Sequence, residues 1–368
     1  MTLTLELTKH LYNKDEVIYS LITSLLTKRD LNECYYWIFE LYYSEIDIFT
    51  IIWKIYLDFY FTLNPVLERH IRKKHSLWIQ SPNNKHIAFI IKNLFKSKIC
   101  YNVFILTQYA TICEYPTHIY KGRKPKWCTK YPIEFHNWLR SIDKNLFENI
   151  VYYTKHILNI RSSREVFDIL VQYFAHKMEV EVDDGVFEFI NVRMDGHDMH
   201  YILAMIMHLK LDKDHFTDKN IFTLPSKNDL QWIKDTQEYD IVSHKILSQK
   251  RLYEIDDNIG WFNLARQNVS SMLDTLRFQW EYYAFNTPIW NKRMNKFNAT
   301  INHKTKKIDF LNDEDLELFY ENFGLEPDEQ SLNVQNMSTK DIICKENMFS
   351  ALSINPIIVM PFDFKFLY

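Results

Sequence analysis

Glycine is scarce in this chain of 368 residues and occurs five times, at positions 122, 185, 196, 260 and 324. Turns that need a positive φ are therefore few, which favours helices over β-sandwiches and barrels. Alanine is also scarce and lysine far outnumbers arginine, a bias typical of an A+T-rich genome that accounts for part of this pattern. Because their phosphate cradles need clustered glycines, P-loop and dinucleotide-fingerprint enzymes are excluded.

The five cysteines, at positions 34, 100, 113, 128 and 344, are odd in number and lack paired C-x-x-C spacing. A disulfide scaffold and a structural zinc site are therefore not expected. Residues 1–12 include Glu6 and lack a sustained apolar core, and no window approaches eighteen uncharged apolar residues. We expect a protein that is not secreted and has no membrane contact, with no cofactor. The net charge of −3 restricts any nucleic-acid contact to a local patch.

Residues 30–63 contain two helical patterns, joined near Ser44, that leave little polar surface. Apolar residues recur at spacings of three and four, at Cys34, Trp37, Ile38, Leu41, Ile48, Ile51, Ile52, Ile55 and Phe59. The second helix keeps one narrow polar stripe, made of Thr50, Lys54, Asp58 and Thr62. Other elements must cover most of its circumference, so the pair is predicted to be a central packing hairpin.

Capping signals and breaks predict further helices. Asn13, Asp30 and Ser162 each precede a glutamate by three residues, which is typical of helix starts. Periodicity predicts helices at about 83–96, 131–160, 165–178, 197–211, 226–238 and 264–285, and an acidic helix from Asn312 to Gly324. Two stretches favour strands: 180–190, a hairpin signal, and the Pro-interrupted 357–368. The predicted class is mainly α, a multi-helix globular architecture with a small β-hairpin near 180–190 and a β-rich C-terminal segment.

Composition divides the chain into four parts. Residues 1–114 form an N-terminal helical unit, 115–131 a basic loop, 132–290 a middle helical unit with the hairpin, and 291–368 a polar and acidic C-terminal region. No internal repeat is visible.

The basic loop is the first candidate site. No acidic residue lies between Glu114 and Glu134. The loop contains one tryptophan, Trp127, and five cations, which are Lys121, Arg123, Lys124, Lys126 and Lys130. Gly122 and Pro125 keep the segment out of a helix, so the charges can contact phosphate while the indole stacks on a base. A solvated surface loop and a localisation signal are the alternatives. A second cluster, Arg69 to Lys74, is interpreted as cations at a helix end, where they meet the helix dipole.

The second candidate is a metal site at His197, Asp198 and His200. Histidines three apart share a helix face and could bind a metal ion, as in a metal-dependent hydrolase. His208 lies about 16 Å further along the axis at 1.5 Å per residue and cannot share that ion. The alternative is an N-terminal turn in which Asp195 or Asp198 caps a buried helix.

The third candidate is the aromatic run Phe278, Trp280, Tyr282, Tyr283, Phe285 and Trp290. Single-strand platforms alternate aromatic residues with cations, whereas only Arg277 and Arg293 flank this run, so core packing is favoured. No G-x-S-x-G elbow, H-E-x-x-H pair or Cys-His couple is present, and no catalytic residue is assigned.

Three blocks carry a family resemblance. They are LNECYYWIFELYYSEIDIFTIIWKIYLDFYFTLNP at 31–65, GRKPKW at 122–127 and FQWEYYAFNTPIW at 278–290. Together they resemble an uncharacterised conserved protein of large eukaryotic DNA viruses, the algal-virus and mimivirus-like groups. The resemblance implies a viral protein that works in the infected host cell, in its cytoplasm or viral factory, or is packaged in the virion.

We therefore expect a non-enzymatic helical interaction or virion-associated protein with a viral or host protein as partner. The alternative is a nucleic-acid-associated factor in viral replication or transcription that binds DNA or RNA through the loop at 121–130. A metal-dependent hydrolase at the histidines ranks third.

Overall fold

The computed structural model describes residues 6–120, 129–178, 197–211, 222–237, 257–264 and 279–323. Within these residues the chain forms fourteen α-helices, a 3₁₀ helix at Asp257–Phe262 and one two-stranded antiparallel sheet. The predicted mainly α class with a small β element is confirmed. Among the described helices, none combines the length and apolar character that crossing a bilayer requires.

The helices are α1 Lys14–Thr27, α2 Leu31–Tyr43, α3 Ile48–Phe59, α4 Val66–Gln80, α5 Asn84–Lys96, α6 Asn102–Ile112, α7 Ile133–Asp143, α8 Phe147–Ile160, α9 Ser163–Met178, α10 Asp198–Lys210, α11 Lys227–Gln237, α12 Trp280–Ala284, α13 Pro288–Lys296 and α14 Asp313–Phe323.

The chain divides into two compact units. Unit 1 comprises Met1–Ile51, Arg72–Lys96 and Phe222–Asn355, and unit 2 comprises Ile52–Ile71, Ser97–Ile221 and Pro356–Tyr368. The unit boundaries fall within α3 and α4. The four-part division by composition stays a prediction.

The predicted capping residues open the first two helices of unit 1. The Asn13 side chain accepts a hydrogen bond from the Asp15 N–H at 3.1 Å, and Asp30 accepts one from the Asn32 N–H at 3.0 Å. Each cap satisfies a backbone donor that the first helical turn leaves free. Helix α2 is buried from Glu33 to Leu41, as its lack of a polar face predicts.

Glu40 holds the N-terminal segment, residues 6–13, against α2. The His10 backbone N–H donates to Glu40 Oε1 at 2.8 Å, and the His10 ring nitrogen Nδ1 makes a hydrogen bond with Oε2. Nearby, the Lys9 N–H donates to Ser44 Oγ at 2.6 Å. Burial would raise the pKa of Glu40, but the charge and hydrogen bonds of His10 outweigh it and leave the pKa lowered.

Residues 279–323 form a small module with its own core, which also includes Leu7 and Leu11. Trp280 and Trp290 meet edge to face, with ring centroids 5.3 Å apart. The Trp290 indole N–H donates to the Thr8 carbonyl at 2.8 Å. Core packing of the aromatic run is therefore confirmed for both tryptophans, which are 2% and 1% exposed.

The sheet lies in this module. Strand β1, Thr300–Asn302, pairs antiparallel with β2, Lys307–Asp309, and Ile301 lies opposite Ile308. Neither α13 nor the strands were predicted from the sequence, and each strand is only three residues long. The predicted hairpin at 180–190 and the β-rich 357–368 lie outside the described residues.

In unit 2, the single helix predicted at 131–160 is wrong, because α7 and α8 are separate. The break is at Asn145, whose φ of 56° is incompatible with a continuing helix. The two helices pack closely, and the Trp138 indole N–H donates to Thr154 Oγ1 at 2.9 Å. Neither glycine nor proline marks this break in the sequence.

The interpretation of the second basic cluster is also wrong. Its residues, Arg69 to Lys74, lie within the first ten residues of α4, and the last turn of this helix carries no basic residue. They therefore do not meet the negative end of the helix dipole. Within unit 1, Lys74 Nζ instead lies 4.7 Å from the centre of the Phe89 ring.

Candidate functional site

Asp58, near the end of α3, and Thr62, just beyond it, make buried contacts with α10 within unit 2. His200 Nδ1 lies 2.6 Å from Asp58 Oδ1, and His208 Nδ1 donates to the Thr62 carbonyl at 3.0 Å. Asp58 and Thr62 are 3% and 1% exposed. Burial lowers the pKa of His208, while its hydrogen bond to Thr62 acts in the opposite direction. His200 thus connects α10 to α3, and His208 connects α10 to the turn that follows α3.

The predicted metal residues lie at the start of α10. The rings of His197 and His200 are nearly perpendicular, with centroids 5.9 Å apart. In the part of the chain that the structure describes, no group of three or more His, Cys, Asp and Glu side chains is placed to bind a metal ion. Capping by Asp198 is wrong, because His197 is the N-cap and Asp198 the first helical residue. The metal site itself stays a prediction.

One surface segment of unit 2 carries several exposed side chains: residues 113–120, which we call the strap. It follows α6 and has no regular secondary structure. The side chain of Asn149 on α8 holds its centre: Asn149 Oδ1 accepts from the Thr117 N–H at 2.7 Å, and Asn149 Nδ2 donates to the His118 carbonyl at 2.9 Å. Further along, the Tyr120 N–H donates to Asn137 Oδ1 at 3.3 Å.

The strap and the end of α6 carry exposed apolar side chains. Ile112 is 56% exposed, Tyr115 78% and Ile119 61%. Contiguous apolar patches on a surface typically mark an interaction site, and these three side chains fall within eight residues of the sequence. The backbone beneath them is held by buried asparagines, since Asn149 is fully buried and Asn137 is 4% exposed.

The strap overlaps the start of the basic loop and leads into its cationic part, residues 121–130. Residues 121–128 lie outside the described part of the chain, so a phosphate-binding role for Lys121, Arg123, Lys124, Lys126 and Trp127 stays a prediction. The described ends of the loop each place an ammonium group over a tyrosine ring. Lys144 Nζ lies 4.9 Å from the centre of the Tyr120 ring, and Lys130 Nζ lies 5.0 Å from that of Tyr131.

Sequence reasoning missed the strap and its support. A signal was present, because Asn149 occupies a position on the apolar face of α8 that Ile150, Tyr153 and Ile157 define. A polar side chain at such a position is buried and must satisfy its hydrogen bonds. The backbone groups that Asn149 binds could not be read from the sequence, since they lie more than thirty residues away.

Comparison of the chain with protein-family models, with curated proteins and with solved structures finds no match. The functional interpretation therefore depends on the contacts described above.

Proposed function

We propose that the chain is a helical interaction protein, not an enzyme, that a large eukaryotic DNA virus encodes and that acts in the infected cell or in the virion. The observation that supports an interaction role is the strap, where large apolar side chains are exposed on a backbone held by hydrogen bonds. The viral assignment rests on the sequence blocks at 31–65, 122–127 and 278–290.

The strap suits binding for two physical reasons. Its conformation is already ordered by Asn149 and Asn137, so association would not have to order this backbone. Its most exposed aromatic residue is Tyr115, and tyrosine is enriched among residues that contribute most of the binding energy in protein interfaces. A partner that buries these side chains would remove apolar surface from water.

The surrounding charge defines the partner's chemistry. The described residues 113–120 and 129–133 contain a single carboxylate, Glu114, whereas Lys130 and the predicted loop are cationic. We therefore propose a protein partner with an apolar pocket bordered by acidic residues. Complementary charge at the rim of the interface would mainly raise the association rate. Salt would weaken this attraction by screening the charges.

Site-specific photo-crosslinking tests this function. A photoreactive phenylalanine analogue is placed at position 115 and, as a control, at Ile79, which is 64% exposed but lies in unit 1. In infected cells and purified virions, we expect one discrete protein to be crosslinked from position 115 and not from position 79. Identification by mass spectrometry then allows reconstitution with the purified partner.

The reconstituted pair provides the decisive measurement. Replacing Ile112, Tyr115 and Ile119 together with serine should weaken binding by at least about 100-fold, since hot-spot residues each contribute about 2 kcal/mol or more. The Ile79→Ser variant should bind like the wild type. Equal crosslinking from both positions, or full affinity of the triple variant, would exclude the strap as the interface.

A nucleic-acid-associated role is the second candidate, and the lysine–tyrosine pairs at both ends of the basic loop favour it. A variant in which the four loop cations Lys121, Arg123, Lys124 and Lys126 become glutamine should weaken binding similarly across sequences. Its binding should also depend less on salt, because a variant that makes fewer phosphate contacts releases fewer counterions on binding. Unchanged binding would remove the loop from consideration.

A further inference from the structure

The β1–β2 hairpin in unit 1 is closed by a rigid turn. Asn302 Oδ1 accepts hydrogen bonds from the backbone N–H groups of Lys304 and Thr305 at 3.2 and 3.3 Å. Lys306 then adopts a left-handed conformation with φ of 53°, which returns the chain to β2. The turn thus presents consecutive side chains from a defined backbone.

Lysines occupy three positions of this hairpin, at Lys304, Lys306 and Lys307. Between Glu281 and Asp309 the sequence contains no carboxylate and six cations, which are Lys292, Arg293, Lys296, Lys304, Lys306 and Lys307. The three lysines of the hairpin are exposed, and no ion pair joins them to a carboxylate within the described residues. Glu281 is buried and accepts a hydrogen bond from the Tyr320 hydroxyl at 2.8 Å.

The fold brings two tyrosines against this hairpin. The Tyr282 hydroxyl lies 3.1 Å from His303 Nδ1, and Lys306 Nζ donates to the Tyr283 hydroxyl at 3.3 Å. The two tyrosine rings are perpendicular, with centroids 5.1 Å apart, and both side chains are half-buried. No cation lies within the aromatic run from Phe278 to Trp290 in the sequence, and the hairpin brings Lys306 to Tyr283 in space.

Nearby carboxylates are engaged by amides. Asp309 accepts a hydrogen bond from Asn302 Nδ2 at 3.0 Å, and Asp315 accepts from Asn298 and Asn312 at 3.0 and 3.1 Å. These bonds hold the carboxylates at the base of the hairpin and on α14, while the lysines occupy the turn and the start of β2.

We propose that this hairpin and the two tyrosines form a binding surface for single-stranded nucleic acid. The lysines contact backbone phosphates, and an unstacked base lies on a tyrosine ring, the combination that single-strand binding surfaces use. Charge complementarity supports a polyanion, and the adjacent rings favour a strand whose bases are accessible over a duplex. This surface is in unit 1 and does not depend on the strap in unit 2.

Fluorescence anisotropy of the full chain with labelled dT20, U20 and a 20-base-pair duplex, titrated from about 50 to 200 mM salt, tests the proposal. Lys304, Lys306 and Lys307 are replaced together with glutamine. The matched control replaces Lys73, Lys85 and Lys227, which are equally exposed lysines of unit 1 and give the same change in charge.

The wild type should bind a single strand more tightly than the duplex. The hairpin variant should bind at least about tenfold more weakly at 50 mM salt, and its salt slope should fall by about 2, since each phosphate contact on a single strand contributes about 0.7. The control variant should bind within twofold of the wild type.

The aromatic contribution is tested separately at position 282. Tyr282→Ala should weaken single-strand binding about tenfold, whereas Tyr282→Phe keeps the stacking ring and should restore the affinity. Equal effects of the two lysine variants, preference for the duplex, or absence of binding at 50 mM salt would overturn the proposal. Circular dichroism melting identifies any variant that fails to fold. If Tyr282→Ala is such a variant, the comparison of the hairpin lysine variant with its lysine control decides the proposal.

Discussion

The contact between Glu40 and His10 determines how firmly the N-terminal segment is held. Glu40→Gln preserves the shape of the side chain but replaces a carboxylate oxygen with an amide group that cannot accept the same bonds. Glu40 is fully buried and His10 is 1% exposed, so water cannot replace the lost acceptor. Breaking a buried pair costs about 3–5 kcal/mol, and the remaining amide oxygen keeps one bond, so we expect a loss of about 3 kcal/mol in the free energy of unfolding.

The same substitution should remove a pH dependence. Burial acts to raise the pKa of Glu40, but His10 outweighs it and the folded-state pKa lies below the ordinary value of 4.5. A carboxyl group with a lowered pKa stabilises the fold above its unfolded-state pKa, and this stabilisation is lost as the pH falls through the folded-state pKa. The wild type should therefore lose stability below about pH 4.5 more steeply than Glu40→Gln.

Urea unfolding, followed by tryptophan fluorescence at pH 7 and at pH 4, measures both effects. Glu317→Gln is the matched control, because this glutamate is exposed on α14. Surface substitutions usually change the free energy of unfolding by less than about 0.5 kcal/mol. The reasoning is refuted if, at pH 7, the free energy of unfolding of Glu40→Gln lies within that range of the control and the two variants lose stability equally in acid.

Three further predictions concern contacts in unit 2 and the buried thiols. Asn149→Ala should accelerate amide hydrogen exchange at Thr117 at least about tenfold, because it removes the acceptor of that N–H. Asp58→Asn should lower the free energy of urea unfolding by about 1–3 kcal/mol, because the bond to His200 loses a charged acceptor. Burial raises the pKa of Cys34 to about 12 and of Cys100 to about 11, so iodoacetamide at pH 8 should alkylate them only after unfolding, as peptide mass spectrometry would show.

The first two of these predictions, and the metal prediction, each have a contradicting outcome. Glu148→Ala is the control, because Glu148 is exposed on the same helix. If the Thr117 amide exchanges at the same rate in Asn149→Ala as in Glu148→Ala, Asn149 does not order the strap. Unchanged unfolding of Asp58→Asn would show that the buried contact is energetically neutral. Elemental analysis of protein purified without chelator tests the metal prediction at His197 and His200, and absence of stoichiometric metal would count against it.

Features that depend on local hydrogen bonds could be predicted from the sequence. The starts of α1 and α2 follow from Asn13 and Asp30, whose side chains satisfy donors two residues away. The acidic helix α14 and the ends of α5, α10 and α11 were also predicted to within a few residues. By contrast, α6 was missed because its apolar side chains are not confined to one face, and a helix of that kind has no 3.6-residue periodicity to detect.

Features that depend on contacts between distant residues could not be predicted. Asp58 and His200 are 142 residues apart, and nothing in either local pattern indicates the other. The sequence places Asp58 and Thr62 on a polar stripe, but both side chains are buried, and their contacts with α10 depend on tertiary packing. The contact between Tyr283 and Lys306 could not be predicted for the same reason, because the two residues are 23 positions apart in the sequence.

The contact between the N-terminal segment and α13 constrains synthesis of the chain. Thr8 and its partner Trp290 are separated by 282 residues. At roughly 5–20 residues per second, the ribosome needs about 15–55 s to produce that partner, and in this interval Leu7 and Leu11 have no module to pack against. Nascent chains in this interval are therefore candidates for chaperone binding, and premature termination before residue 290 would leave an apolar N-terminal segment uncovered.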